Sequence, residues 1–195
     1  MTDWGAHHND IVLWCLDMEK SGPVSIEGKP RVEMIPGGYT AASEYDVTYT
    51  YANGIVHTCK STTASKWDGS VVDRNGQQHG VKFTGTDGWI FVTRDVINAS
   101  QKELLADKLP ENAPRVYVSN DHMKNYLECV KSRKPTIAPA EMGHRSASVC
   151  HLGVMSIRLG KKLNWDPAKE DFVNDSEASR MLVREMRKPY DYSMI

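Results

Sequence analysis

Apolar and polar positions along the chain change their period twice. From Asp3 to Leu16 the spacing is helical, with Thr2 or Asp3 placed to cap the N-terminus. The apolar run Ile11–Leu16 predicts deep burial, and Gly22-Pro23 ends the connection that follows. The period then drops to two: Tyr45, Val47, Tyr49 and Tyr51 alternate with Asp46, Thr48 and Thr50, the pattern of a half-buried strand. Asn53-Gly54 supplies a tight turn and Ile55 to Lys60 returns. A second hairpin is predicted from Val81–Thr84, a turn at Asp87-Gly88, and Trp89–Thr93. The polar stretch between the hairpins, Ser61 to Gly80, reads as an exposed excursion in which only Trp67 argues for packing.

After the hairpins the helical period returns. Ser100 to Leu109 reads as a short helix ended by Pro110, Val116–Val118 as a short strand, and Asp121 as the cap of a helix through Val130. Ala140 to Leu159 is a long helix with Val149, Leu152, Met155 and Leu159 on one side, closed by Gly160. Asp175 caps a last helix from Ser176 to Met186, and the tail from Tyr190 is irregular. Hairpins followed by helices imply an α+β fold, with an open, mostly antiparallel sheet and helices packed on one face. No repeat or low-complexity segment interrupts residues 1–195, which read as a single domain.

Composition narrows the function classes. With 24 Lys+Arg against 25 Asp+Glu, the net charge of −1 gives no field to steer the chain to nucleic acid or an anionic membrane. Lys124, Lys131, Arg133 and Lys134 form a solvated helix face without the aromatic interleaving of a nucleic-acid site. No apolar run approaches the ~18 residues of a membrane span, and MTDWGAHHND lacks the features of a signal peptide, so a cytoplasmic location is expected. Cys15, Cys59, Cys129 and Cys150 are scattered and read as free thiols.

The densest chemistry lies at the N-terminus. Asp3, His7, Asp10 and Trp14 stand at i, i+4, i+7 and i+11, one stripe of a helix. A carboxylate one turn before an imidazole can orient it and raise its basicity, which suits proton transfer with a hydroxyl near neutral pH. Two other readings stay open: Asp3 and Asp10 as a cap and a solvated surface residue, or a metal site drawn from Asp3, His7, His8 and Asp10. Adjacent residues point about 100° apart on a helix, which counts against His7 and His8 as joint ligands.

The segment TDWGAHHNDIVLW resembles the substrate-domain motif of the Gfo/Idh/MocA oxidoreductases, and KNYLECVKSRKPTIAPAEMGHRSASVCHLGVMSIRLGKKLNWDP with EASRMLVREMRKPY resembles their closing helices. The middle sheet is only generically similar. The resemblance implies an NAD(P)-dependent oxidoreductase acting on a sugar, cyclitol or related polyol by hydride transfer. It casts His7 as the acid–base for the substrate hydroxyl and Asp3 as the group that orients it. Asp10 takes the family's further acidic position, while Trp4 and His8 are subgroup features near the substrate. The resemblance also implies a homo-oligomer through the open sheet face, which the aromatic residues Tyr45, Tyr49 and Tyr51 would suit.

The family's cofactor half has no counterpart here. No GxGxxG occurs, and the family's Glu-Lys-Pro lysine has no match: Lys29-Pro30 follows Gly28, and Lys134-Pro135 follows Arg133. The expectation is a C-terminal substrate and oligomerisation domain without its Rossmann domain, with Met1 falling inside the family pattern. NAD or NADP would serve the complete enzyme, and the chain alone would bind neither and be inactive. The alternatives are a stand-alone carbohydrate-binding or oligomerisation module, or a metal-dependent hydrolase-like protein using Asp3, His7 and Asp10. Two further groups complete the candidates. His144 and Arg145, with His151 one face along, could contact a hydroxylated or carboxylated substrate or serve helix–helix bonding. His57 alternates with Ile55 and Cys59 as a packed or interface histidine.

Overall fold

The computed structural model describes residues 1–61, 72–105, 111–112 and 117–194. Its first helix, α1 (Trp4–Cys15), begins where the capping residues predict, yet Asp3 makes no side-chain cap bond and only its carbonyl accepts the Ala6 N–H. Strands β1 (Ser25–Pro30), β2 (Tyr45–Thr50) and β3 (Val56–Lys60) follow, then β4 (Val81–Thr84), β5 (Trp89–Thr93) and β6 (Val96–Ala99). The helices α2 (His122–Ser132) and α3 (Ala140–Leu159), the strands β7 (Leu163–Asp166) and β8 (Asp171–Phe172), and the short α4 (Ser176–Ser179) complete the order.

The α+β reading holds, with antiparallel pairing in two sheets where the hydrophobic pattern predicted one. Five strands run β3-β2-β1-β7-β8, and three run β4-β5-β6. The period of two in β2 is realised in burial: Tyr45, Val47 and Tyr49 face inward while Thr48 faces solvent. α3 lies on the inward face over β1 and β2, and α1 packs antiparallel beside it. Antiparallel packing is fixed by Asn9 Nδ2 donating to Cys150 Sγ (3.2 Å) and Ser146 Oγ donating to Asp10 Oδ1 (2.5 Å). The core joins Leu13, Ile26, Tyr49, Val149, Leu163 and Trp165.

Helix and sheet touch most closely at Gly28, where an added Cβ would lie 2.7 Å from Ile157 Cγ1 and 3.1 Å from the Gly153 carbonyl. The Gly28 N–H donates to Ser156 Oγ at 2.8 Å inside this contact. Caps behave as the residue types require. Asp121 accepts the Lys124 N–H, Asp175 accepts the Ala178 N–H, and Gly160 closes α3 in the left-handed region.

Several expectations are corrected. The run Ile11–Leu16 is not uniformly buried: Val12 and Leu13 are, while Trp14 is 51% exposed, because only one face of α1 meets α3. The last helix ends at Ser179 and continues as a 3₁₀ turn, Arg180–Leu182, instead of reaching Met186. Tyr45, Tyr49 and Tyr51 lie in the core beneath the helices, so the open face of the sheet is polar, with Glu27, Thr48 and Thr58 in one row. Of the helix expected over Ser100–Leu109, a 3₁₀ turn at Lys102–Leu105 is present and Ser100 and Gln101 are not helical; residues 106–109, Trp67 and Val116 lie outside the described residues. Tyr117 and Val118 belong to no strand.

Candidate functional site

A cleft of about 1450 Å³ opens between the start of α1, the edge strand β3 and the edge strand β4. α1 presents Asp3, Trp4 and His8 to it. His7 projects away, exposed, along the stripe that includes Asp10 and Trp14. The 100° between successive helical residues separates the two imidazoles.

Asp3 lines the cleft and His7 does not, and no hydrogen bond joins their side chains in the described residues. The His7 ring instead meets the Trp4 indole edge-on at 6.0 Å. Trp4 is 53% exposed, stacks with His8 at 6.0 Å, and carries the Arg94 guanidinium 5.5 Å from its ring centre. Burial, then the electrostatic influence of His79, His7 and Arg94, pushes the His8 imidazole down from 6.5 to about 4. His8 is therefore a neutral ring at physiological pH, able both to donate and to accept a hydrogen bond.

Asp10 is tied to Ser146 on α3. His144 and Arg145 do not join this group. Asp10 is level with Ser146, and the antiparallel packing carries residues 144 and 145 further from the start of α1. There Arg145 pairs with Glu141 (2.8 Å) and Glu170 (2.9 Å), and His144 meets the same Glu170 at 2.7 Å. These bonds lie within the domain, and neither residue lines the cleft. His57 is packed: its ring stacks on Tyr49 at 4.9 Å, and burial pushes it down to about 4. Among the described residues no three His, Cys, Asp or Glu side chains converge as a metal site would require.

The polar segment before β4 supplies residues the hydrophobic pattern passes over. Asp73 and His79 flank the turn at Asn75-Gly76, and the His79 ring lies 5.2 Å from Trp4 and 5.6 Å from His8. Residues 74–77 are exposed, as expected of the Ser61–Gly80 stretch, but Asp73 is 9% exposed and bonds Gln77 and His79, which anchors the turn. The sequence signal was Asp73-Arg74-Asn75-Gly76, a turn that sets its flanking residues opposite each other.

Among the described residues there is no cradle for a dinucleotide pyrophosphate. The three long helices begin after Asp3, Asp121 and Pro139, and none follows a glycine-rich turn from a strand.

Residues 1–192 match the family model for an oxidoreductase family, C-terminal alpha/beta domain, of the Gfo/Idh/MocA type. The chain belongs to the Gfo/Idh/MocA oxidoreductase family. The crystal structure of an NAD-binding protein from Listeria innocua is similar in fold, with a TM-score of 0.52 at 12% identity, over 83% of this chain and 50% of that one. The chain thus spans about half the length of that neighbour. No curated protein sequence matches it. Among the described residues no helix is long and apolar enough to cross a membrane.

Proposed function

We propose that this Gfo/Idh/MocA domain is the substrate half of an NAD(P)-dependent oxidoreductase that moves a hydride to or from the carbinol carbon of a sugar, cyclitol or related polyol. The observation that carries the reading is the start of α1. Asp3 and Trp4 stand at the lip of a cleft large enough for a hydroxylated ring, beside an accessible imidazole at His7. His7 exchanges the hydroxyl proton, Asp3 orients His7 or the hydroxyl, and Trp4 and His8 line the ring's binding place. Asp10, held by Ser146, borders the same stripe. The dinucleotide would be bound by a separate domain of the complete enzyme, because the helix starts here carry two aspartates and a proline where a pyrophosphate needs glycines. The open, polar face of the five-stranded sheet, with Glu27, Thr48 and Thr58 in one row, is the proposed contact between copies.

Calorimetry of the chain with glucose, myo-inositol and their carboxylated relatives tests the substrate half. Saturable heat that vanishes in Trp4→Ala is expected, with His7→Ala as a control that weakens binding less. Binding of NAD(H) or NADP(H) at micromolar concentration by the chain alone would overturn the division of labour. Absence of binding by every hydroxylated ring would remove the substrate reading.

A further inference from the structure

The group that joins the three-stranded sheet to α1 contains a histidine that the proposed chemistry leaves unused. Asp73 is held by its own turn: Oδ1 accepts the N–H of Gln77 at 2.7 Å and of Asn75 at 2.8 Å. These bonds, that of Gln77 foremost, hold its carboxyl below the usual aspartate range. The other oxygen, Oδ2, lies 3.2 Å from His79 Nε2. A carboxylate can only accept, so Nε2 carries hydrogen, while Nδ1 lies 3.2 Å from the Thr93 hydroxyl. Asp73 and Thr93 are 9% and 8% exposed, so both ring nitrogens are committed inside the protein. What His79 offers is its ring surface, against Trp4 and His8.

We propose that His79 is a positioning residue: clamped between Asp73 and Thr93, its ring fixes the orientation of the Trp4 indole and the His8 imidazole, the two aromatic side chains that α1 turns toward the cleft. Its importance for a ligand rests on the substrate reading above; the clamp does not. The charged and titratable groups around His8 are His79 from the turn before β4, His7 and Asp3 from the start of its own helix, and Arg94 from the β5–β6 turn, with Asp73 behind His79.

Long-range ¹H–¹⁵N spectra of the imidazoles, with the Trp4 indole signal, test this on the 195-residue chain without ligand. His79 should appear in the Nε2–H form, and His8 should titrate near 4. In Asp73→Asn the side-chain amide can face Nε2 and donate, so the His79 tautomer should reverse and the Trp4 and His8 signals should move. In His79→Ala the His8 midpoint should climb toward 6.5. In His79→Phe, which keeps the covering ring but not the ring nitrogens, it should climb less. A wild-type Nδ1–H tautomer would overturn the proposal, as would Trp4 and His8 signals unmoved by Asp73→Asn and His79→Phe. Should His79→Ala fail to fold, those two variants decide. If the clamp signals behave as described while glucose and myo-inositol fail to bind, the substrate reading falls and the positioning role stands.

Discussion

The Ser146 hydroxyl donates to Asp10 Oδ1 across 2.5 Å, and this bond joins the candidate stripe of α1 to the long helix α3. Ser146 is 6% exposed, whereas Asp10 reaches solvent. Ser146→Ala therefore leaves no buried charge behind, because water can replace the lost donor at Asp10. The expected cost is about 1 kcal/mol, seen as a lower urea midpoint with an unchanged slope. A cost well above that would show that Asp10 is more deeply desolvated than its exposure indicates.

His7→Ala separates chemistry from stability. The side chain is exposed and its contact in the described residues is the edge of Trp4, so stability should stay within about 0.5 kcal/mol of wild type. In the complete oxidoreductase the same substitution should lower turnover by ~10²–10⁴-fold, the usual worth of a positioned acid–base group. Steady-state rates beside urea melts check both halves. Full turnover in His7→Ala would remove His7 from the proton transfer.

Two histidines make the fold sensitive to acid. Burial holds His57 near 4, and burial with the electrostatic influence of its neighbours holds His8 near the same value, against 6.5 in the unfolded chain. Between these values the unfolded state binds more protons. Stability is thus full above about pH 6.5 and falls as pH drops toward 4. For His57 the loss is on the order of 3 kcal/mol by pH 4. His8 adds less, since it is partly solvated. Urea melts from pH 7.5 to 4 should show this slope, and His57→Phe should flatten most of it.

What the sequence disclosed follows from where its signals are strong. Alternation exposed β2, Asn53-Gly54 exposed its hairpin, and Asp121 and Gly160 bounded α2 and α3. β1 was hidden because its inward positions are Ile26 and Gly28. The second must lack a side chain where α3 crosses, so the strand shows no apolar alternation. The helix that carries His7 was legible from its spacing and its cap position. The cleft's other wall was not: His79 lines it, held from behind by Asp73 and Thr93, and a hydrophobic pattern is blind to polar residues that bury by bonding one another. His144 and Arg145 had the right chemistry at the wrong level of α3, a distinction that needs the antiparallel register of the two helices.

That same contact at Gly28 yields two substitutions with different physics. Ser156 is fully buried, accepts the Gly28 N–H at 2.8 Å and donates to the Lys161 carbonyl at 2.7 Å. Ser156→Ala removes both partners while leaving the packing in place. The Gly28 donor is then buried without an acceptor, and the expected loss is about 1–3 kcal/mol. Gly28→Ala keeps the bond but drives a methyl to 2.7 Å from Ile157 Cγ1, with the Gly153 carbonyl and the Ile157 nitrogen at 3.1 and 3.2 Å. The Ile157 side chain can turn aside, but the backbone of α3 cannot, so the helix must lift from β1. That overpacking should cost at least as much, roughly 1–3 kcal/mol or more. Made on an Ile157→Ala background, which removes Cγ1, Gly28→Ala should recover only the side-chain part of that cost. Full recovery would mean that the Ile157 side chain, and not the helix backbone, sets the distance between α3 and the sheet.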